Sequence, residues 1–187
     1  MPDTIEQKYE FINGAEVMLA AASLPHLRIQ RNLSIMIGNY LKGKRCEIFS
    51  EAKVVFDNNN WFQPDVLIVC DRNKMKLNHI DGAPEFIAEI LSPTTQFRDF
   101  GIKKDIYEKY GVQEYWIIDP AAKTIMVYLL KDRKYVLDGV YHDYTEEEWD
   151  GLSEKEKSQQ KLKLKISLYD DFEMDVREIF DSFPQIV

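Results

Sequence analysis

The sequence predicts one domain of mixed strands and helices, in the α/β (α+β) class, and three observations predict it. Two short apolar runs, 66–70 and 85–91, are rich in β-branched and aromatic residues and are bounded by Pro, Gly and Asp, which marks strands rather than helices. Apolar residues recur at helical spacing over 25–43 and again over about 97–110. The chain has 187 residues, 45% of them hydrophobic and 12% aromatic, enough to bury one core and too apolar to stay disordered.

From the N-terminus, Asn13 and Gly14 form a strong turn signal, so residues 1–21 read as a hairpin or as a short helix feeding a strand. Glu10 and Glu16 flank that turn. Either can approach a metal site, but an acid beside a turn is usually solvated surface. Over 25–43, Leu27, Leu33, Ile37, Tyr40 and Leu41 mark a helix face; Ser23 can cap it, and Pro25 is tolerated in its first turn. His26 sits in that turn, with Gln30 one turn later, and reads either as a local capping residue or as a catalytic one.

Strands follow at 46–50 and 52–56, a turn at 57–60, and the strand pair 66–70 and 85–91. Residues 71–84 between them hold too many breakers for a helix. After the breakers Ser92 and Pro93, the helix over about 97–110 carries Asp99, Lys103 and Tyr107 on one face, beside a buried side marked by Ile102, Ile106 and Tyr110. Gly111 fits the position that closes a helix. Strands at 114–118 and 123–130 form a hairpin about Asp119 and Pro120, and 135–137 extends the meander. The stretch 144–161 opens on a capping box, Thr145 to Glu148, and reads as an exposed helix or excursion. A last strand at 162–169 and a short helix at 175–183 complete the chain.

The formal charge of −8 argues against a broad nucleic-acid-binding surface. It is unevenly placed: 143–160 holds seven acidic residues against two lysines, whereas Lys42, Lys44 and Arg45 cluster, as do Arg98, Lys103 and Lys104. A local basic groove on an acidic body stays open. Cys46 and Cys70 are the only cysteines, and two free thiols in a reducing compartment are expected. No apolar run approaches the roughly 20 residues needed to cross a bilayer, and no basic-then-apolar leader opens the chain, so a cytoplasmic protein is expected.

If 66–70 and 85–91 pair antiparallel, Asp65 falls beside Glu89. Two carboxylates that close repel, and a divalent cation is the simplest way to keep both ionised. Oxygen ligands completed by water suit Mg²⁺ or Mn²⁺ better than Zn²⁺. Glu89 stands among Ile87, Ala88, Ile90 and Leu91, in a strand that would otherwise be buried on both faces, so its carboxylate needs a partner. The competing explanation is an ion pair from Glu89 to Lys103, Lys104 or Arg98.

Two carboxylates on adjacent strands with a metal and a nearby lysine can cut a phosphodiester. This set resembles that of the PD-(D/E)XK nuclease superfamily, with Pro64 and Asp65 as its "PD". The second half should read acid-x-Lys, yet here it is Glu89, Ile90, Leu91; Lys103 on the following helix stands in for the missing lysine. The chain is similar to the Uma-type family of restriction-endonuclease-like proteins. The resemblance is carried by Gln63, Pro64 and Asp65; by Gly82, Ala83 and Pro84; by Glu89 through Thr94; by Arg98, Asp99, Lys103 and Tyr107; and by Gly111 through Pro120, with weaker matches at Tyr9, Glu10 and His26. It implies a restriction-endonuclease-like core, a mixed β-sheet flanked by helices, and divalent-metal-dependent cleavage of DNA. Asp65, Glu89 and the Leu91 backbone carbonyl would hold Mg²⁺ or Mn²⁺, and Lys103 would be the catalytic base or electrostatic stabiliser.

Two other readings stay open. The missing acid-x-Lys and the acidic balance suit a non-catalytic interaction or nucleic-acid-binding protein on a nuclease scaffold, and the carboxylates would also suit an ion-pair network alone. A homo-oligomer, dimer or higher, is expected if Trp61, Phe62, Tyr128 and Tyr141 leave aromatic surface over, since cutting two strands commonly takes two sites.

Overall fold

The computed structural model describes residues 8–181. Strands β1 (Tyr9–Ile12) and β2 (Ala15–Met18) form the hairpin alternative, turned by Asn13 and Gly14 at φ of 49° and 83°. Helix α1 (Leu24–Leu41) is capped by Ser23, whose hydroxyl accepts from the His26 N–H. Then come β3 (Glu47–Phe49), β4 (Val54–Asp57), β5 (Asn60–Phe62), β6 (Val66–Val69), a 3₁₀ turn at Arg72–Lys74, β7 (Ile80–Asp81) and β8 (Phe86–Ile90). Helix α2 (Gln96–Arg98) passes through a wide turn, Asp99–Lys103, broken at Gly101, into α3 (Lys104–Tyr110). The chain continues as β9 (Glu114–Asp119), β10 (Thr124–Lys131), β11 (Lys134–His142), α4 (Glu146–Gly151), α5 (Glu154–Gln159), β12 (Lys163–Lys165), β13 (Glu173–Asp175) and α6 (Val176–Phe180).

The main sheet has the order β11-β10-β9-β8-β6-β3, antiparallel except for the parallel β8–β9 pair that the α2–α3 crossover joins. A second sheet has the order β2-β1-β5-β4-β7, and β12 with β13 makes a small third. Mixed sheets flanked by helices are the expected class. The alternation of side chains along β6 and β8 splits the interior in two. Val66, Ile68, Ala88 and Ile90 pack beneath Leu33 and Ile37 of α1. Leu67, Val69 and Ile87 face Phe62, Ile106 and Tyr107 on the other side. Every residue of β6 and β8 is buried, so both strands are covered on both faces.

Several expectations are corrected. The strand expected over 162–169 contracts to β12, because its partner β13 is three residues long; the one expected over 135–137 grows to the nine residues of β11. The helix expected over 175–183 is α6, and residues 182 and 183 lie outside the described residues. The acidic stretch forms two exposed helices, each with a capping box. Cys46 and Cys70 are bonded as a disulfide, not free: the β3–β6 register pairs Glu47 with Val69, and one step further sets the two cysteines opposite each other. The expected aromatic surface is smaller than foreseen, since Phe62 and Tyr141 are buried and the Trp61 ring is covered by Tyr9 and the Lys53 ammonium. Among the described residues no helix is long and apolar enough to cross a membrane.

Candidate active site

The β6–β8 register sets Val66 opposite Ala88, and its continuation by one pair brings Asp65 opposite Glu89. Asp65 is held on three sides. Its Oδ2 accepts from the Ile90 N–H at 2.7 Å, its Oδ1 lies 3.0 Å from His26 Nε2, and its carbonyl accepts from the Gln30 side chain at 3.0 Å. The first turn of α1 is thereby docked on the start of β6. His26 is drawn toward its charged form: burial opposes that charge, but the hydrogen bond and negative charge of Asp65, with Glu51 and Asp99 behind it, raise its pKa above the usual histidine value.

Glu89 points to the same face of the sheet as Ile87, into the space beneath the crossover helices. Its Oε1 accepts from the Tyr107 hydroxyl at 2.6 Å and lies 2.7 Å from Lys103 Nζ. The same ammonium is 3.1 Å from Glu10 Oε1 and 3.5 Å from Asp99 Oδ1. Of the three cations considered for Glu89, Lys103 takes the contact, while the Lys104 ammonium stands 3.9 Å over the Tyr128 ring. This contact serves a catalytic site and an ion-pair network equally. Leu91, just past the end of β8, donates its N–H to the Ile118 carbonyl at 2.8 Å.

Glu10 departs from its surface reading, with 1% exposure. The signal was present: along β1 it shares the inward face with Ile12, whereas Glu16 on β2 is exposed. Glu10 Oε1 also accepts from the Gln63 N–H at 3.0 Å, which ties β1 to the segment leading into Asp65.

Four carboxylates (Glu10, Asp65, Glu89 and Asp99) thus surround one lysine and one histidine. Burial pushes the Glu89 carboxyl well above the usual range; Lys103 opposes this, while Asp99, Asp65 and Glu10 add to it. Asp99 is raised too, chiefly by burial. Burial alone would lower Lys103, but Glu10, Glu89 and Asp99 hold it well above the usual lysine value. Among the described residues three buried polar atoms, Glu10 Oε2, Asp99 Oδ1 and Arg98 Nε, have no hydrogen-bond partner, although Lys103 Nζ stands 3.5 Å from Asp99 Oδ1. The unpartnered Glu10 oxygen is one that a cation with oxygen ligands would satisfy. Among the described residues no three His, Cys, Asp or Glu side chains form a ready-made metal cluster. Asp65 and Glu89 supply two carboxylates, which suits an ion that keeps several waters. A cleft of about 560 Å³ opens onto these groups, lined by Glu10, His26, Asp65, Glu89, Asp99 and Lys103 among others.

Comparison with known proteins agrees with this architecture. A solved structure from Anabaena variabilis, described as a putative nuclease belonging to DUF820, superposes with a TM-score of 0.70 over 96% of this chain and 93% of that one, at 22% identity, so the fold is shared. Two uncharacterized Synechocystis proteins, slr1290 and sll1609, are each 30% identical to the chain. The matches span 129 residues (67% of this chain and 68% of slr1290) and 137 residues (70% of this chain and 77% of sll1609). The family model for Uma2, described as "Putative restriction endonuclease", matches residues 1–157, and so takes in every residue of the cleft. On that match the chain belongs to the Uma2 family.

Proposed function

We propose that this protein is an endonuclease that hydrolyses DNA phosphodiester bonds with the help of Mg²⁺ or Mn²⁺. The observation that carries the reading is the placement of Asp65 and Glu89 at opposed positions on adjacent strands, beside Lys103, on the wall of one cleft. Asp65, Glu89 and the Leu91 backbone carbonyl would hold the metal ion. When bound, the ion polarises the scissile phosphate and lowers the pKa of a bound water.

The rest of the work falls to the chain itself. His26 and the Ile90 N–H fix the two oxygens of Asp65, so that the carboxylate enters the reaction already oriented. Tyr107 fixes Glu89 from the other side. Lys103, kept protonated by its carboxylates, brings a positive charge to the place where negative charge builds on the phosphate, and its N–H groups can orient the attacking water. In that protonated state it acts as a stabiliser and not as a base.

One observation favours a second reading. The Lys103 ammonium already meets three carboxylates, as it would in a purely structural ion-pair network. Calorimetric titration of Mn²⁺ and Mg²⁺ into wild type and Asp65→Ala separates the two. Saturable binding that the variant loses, together with metal-dependent nicking of plasmid DNA, is expected for the nuclease. Absence of both in the wild type would leave the ion-pair network, or a binding protein on the same scaffold, as the better reading.

A further inference from the structure

We propose that Glu10 is the positioning residue for Lys103, holding the ammonium beside Glu89 from a strand outside the β6–β8 pair. The inference rests on the nuclease reading above, which gives Lys103 its task.

The lysine of this site does not stand two residues after Glu89 on the strand, where Leu91 is found, but on the turn between α2 and α3. A lysine stem is flexible along four carbons, so an ammonium arriving from a helix needs an anchor to be held in one place. Glu89 cannot be the whole anchor, because the proposed chemistry commits its carboxylate to a metal ion. Asp99 lies one turn back on the same segment, at 3.5 Å, and moves with that segment. Glu10 is the contact from elsewhere: it reaches across 93 positions of sequence to 3.1 Å from Lys103 Nζ.

Three features suit it to the task. Its exposure is 1%, so its charge is little screened by solvent. Its Oε1 is fixed by the Gln63 N–H, two residues before Asp65, so the anchor of the lysine and the backbone leading to the opposite carboxylate are one unit. Its Oε2 is buried with no hydrogen-bond partner among the described residues, and the ion pairs among those residues join Glu10 to Lys103 alone. The unpartnered oxygen would equally suit a metal ligand, and the Mn²⁺ titration below separates that role from an anchor.

The test compares wild type with Glu10→Gln, which keeps an acceptor for Gln63 but removes the charge, and with Glu10→Asp, which keeps the charge but withdraws it by one methylene. Reductive methylation with formaldehyde and cyanoborohydride, read at Lys103 by peptide mass spectrometry, reports the fraction of the amine that is uncharged and accessible, which rises when the ammonium loses an anchoring carboxylate. Amide hydrogen exchange in β1 and β8 reports on the fold. Both variants are expected to raise Lys103 modification about 10-fold with strand exchange unchanged, to leave Mn²⁺ affinity within about threefold, and to lower kcat about 10-fold at unchanged KM. Unchanged Lys103 modification overturns the proposal. So does a fall of about 10-fold or more in Mn²⁺ affinity, which would make Glu10 a metal ligand instead. If Glu10→Gln does not fold, Glu10→Asp carries the same measurement. A wild type that neither binds metal nor cuts DNA defeats the nuclease reading, while the methylation result still decides whether Glu10 holds Lys103.

Discussion

Lys103 Nζ lies 2.7 Å from Glu89 Oε1, and each side chain is only 5% exposed. A pair this deep contributes little net stability when intact, because desolvating both charges offsets most of their attraction, but breaking it strands a buried charge. Much of the site's behaviour under substitution follows from that asymmetry.

Lys103→Met is expected to destabilise the protein by about 3–5 kcal/mol at neutral pH, since Glu10, Glu89 and Asp99 lose their shared cation. The pH dependence follows from the direction of the carboxylate shifts. Glu89 and Asp99 are already raised in the folded protein and rise further without the lysine, so the variant's folded state takes up protons more readily than its unfolded state as pH falls. The deficit should therefore be largest at alkaline pH and shrink on acidification. Urea titrations of both proteins between pH 5 and pH 8 check it; a deficit that does not depend on pH would mean the carboxylates are not the source.

Glu89→Gln keeps the shape of the side chain and leaves Lys103 paired with Glu10 and Asp99, so the fold should survive. Plasmid cleavage with Mg²⁺ should fall by a factor of about 10²–10³, on the scale seen when a group that stabilises transition-state charge is removed. Circular dichroism establishes that the variant is folded. Wild-type cleavage by a folded Glu89→Gln would remove Glu89 from the site.

How much of this was legible in the sequence depends on how far each pairing reaches. Asp65 opposite Glu89 followed from taking two consecutive apolar strands as an antiparallel pair, where the buried faces restrict the register even across the long connection 71–84. Lys103 sharing a face with Asp99 and Tyr107 followed from helical spacing, even though the helix breaks at Gly101. The alternation of Glu10 with Ile12 was legible, but which face of β1 is covered was not, because that depends on β1 pairing with β5 through Phe11 and Trp61, a contact between distant segments. The disulfide was missed for the same reason: nothing local joins β3 to β6.

The Cys46–Cys70 bond closes a loop of sequence separation 24, and in the chain-entropy account a loop of that size is worth about 3.5 kcal/mol. Protein purified without reductant should show no reactive thiol in a denaturing thiol assay, and reductant should lower Tm. Two titratable thiols under those conditions would show that the cysteines stay reduced, as the sequence alone suggested.

Glu114 anchors the first residue of β9 to the segment after β12, and its carboxylate faces donors only. Oε1 accepts from the Trp116 indole N–H at 2.6 Å, while Oε2 accepts from the Ser167 N–H at 2.7 Å and from its hydroxyl at 2.6 Å. Burial raises its pKa, but the Ser167 and Trp116 hydrogen bonds pull the other way and favour the anion. In Glu114→Gln an amide NH₂ must replace one of the two oxygens, and either orientation sets N–H against N–H or O–H. At least one buried donor then loses its acceptor, which costs about 1–3 kcal/mol. Because Glu114 pairs with Phe86, three residues before Glu89, and neither it nor Trp116 nor Ser167 lines the cleft, the substitution should leave untouched the metal binding proposed for Asp65 and Glu89. Denaturant unfolding paired with Mn²⁺ calorimetry checks both halves. A loss of stability with unchanged metal affinity is the expected result, and a loss of both would mean that the packing of β9 against β8 also sets the geometry of Glu89, which pairs with Ile117 on that strand.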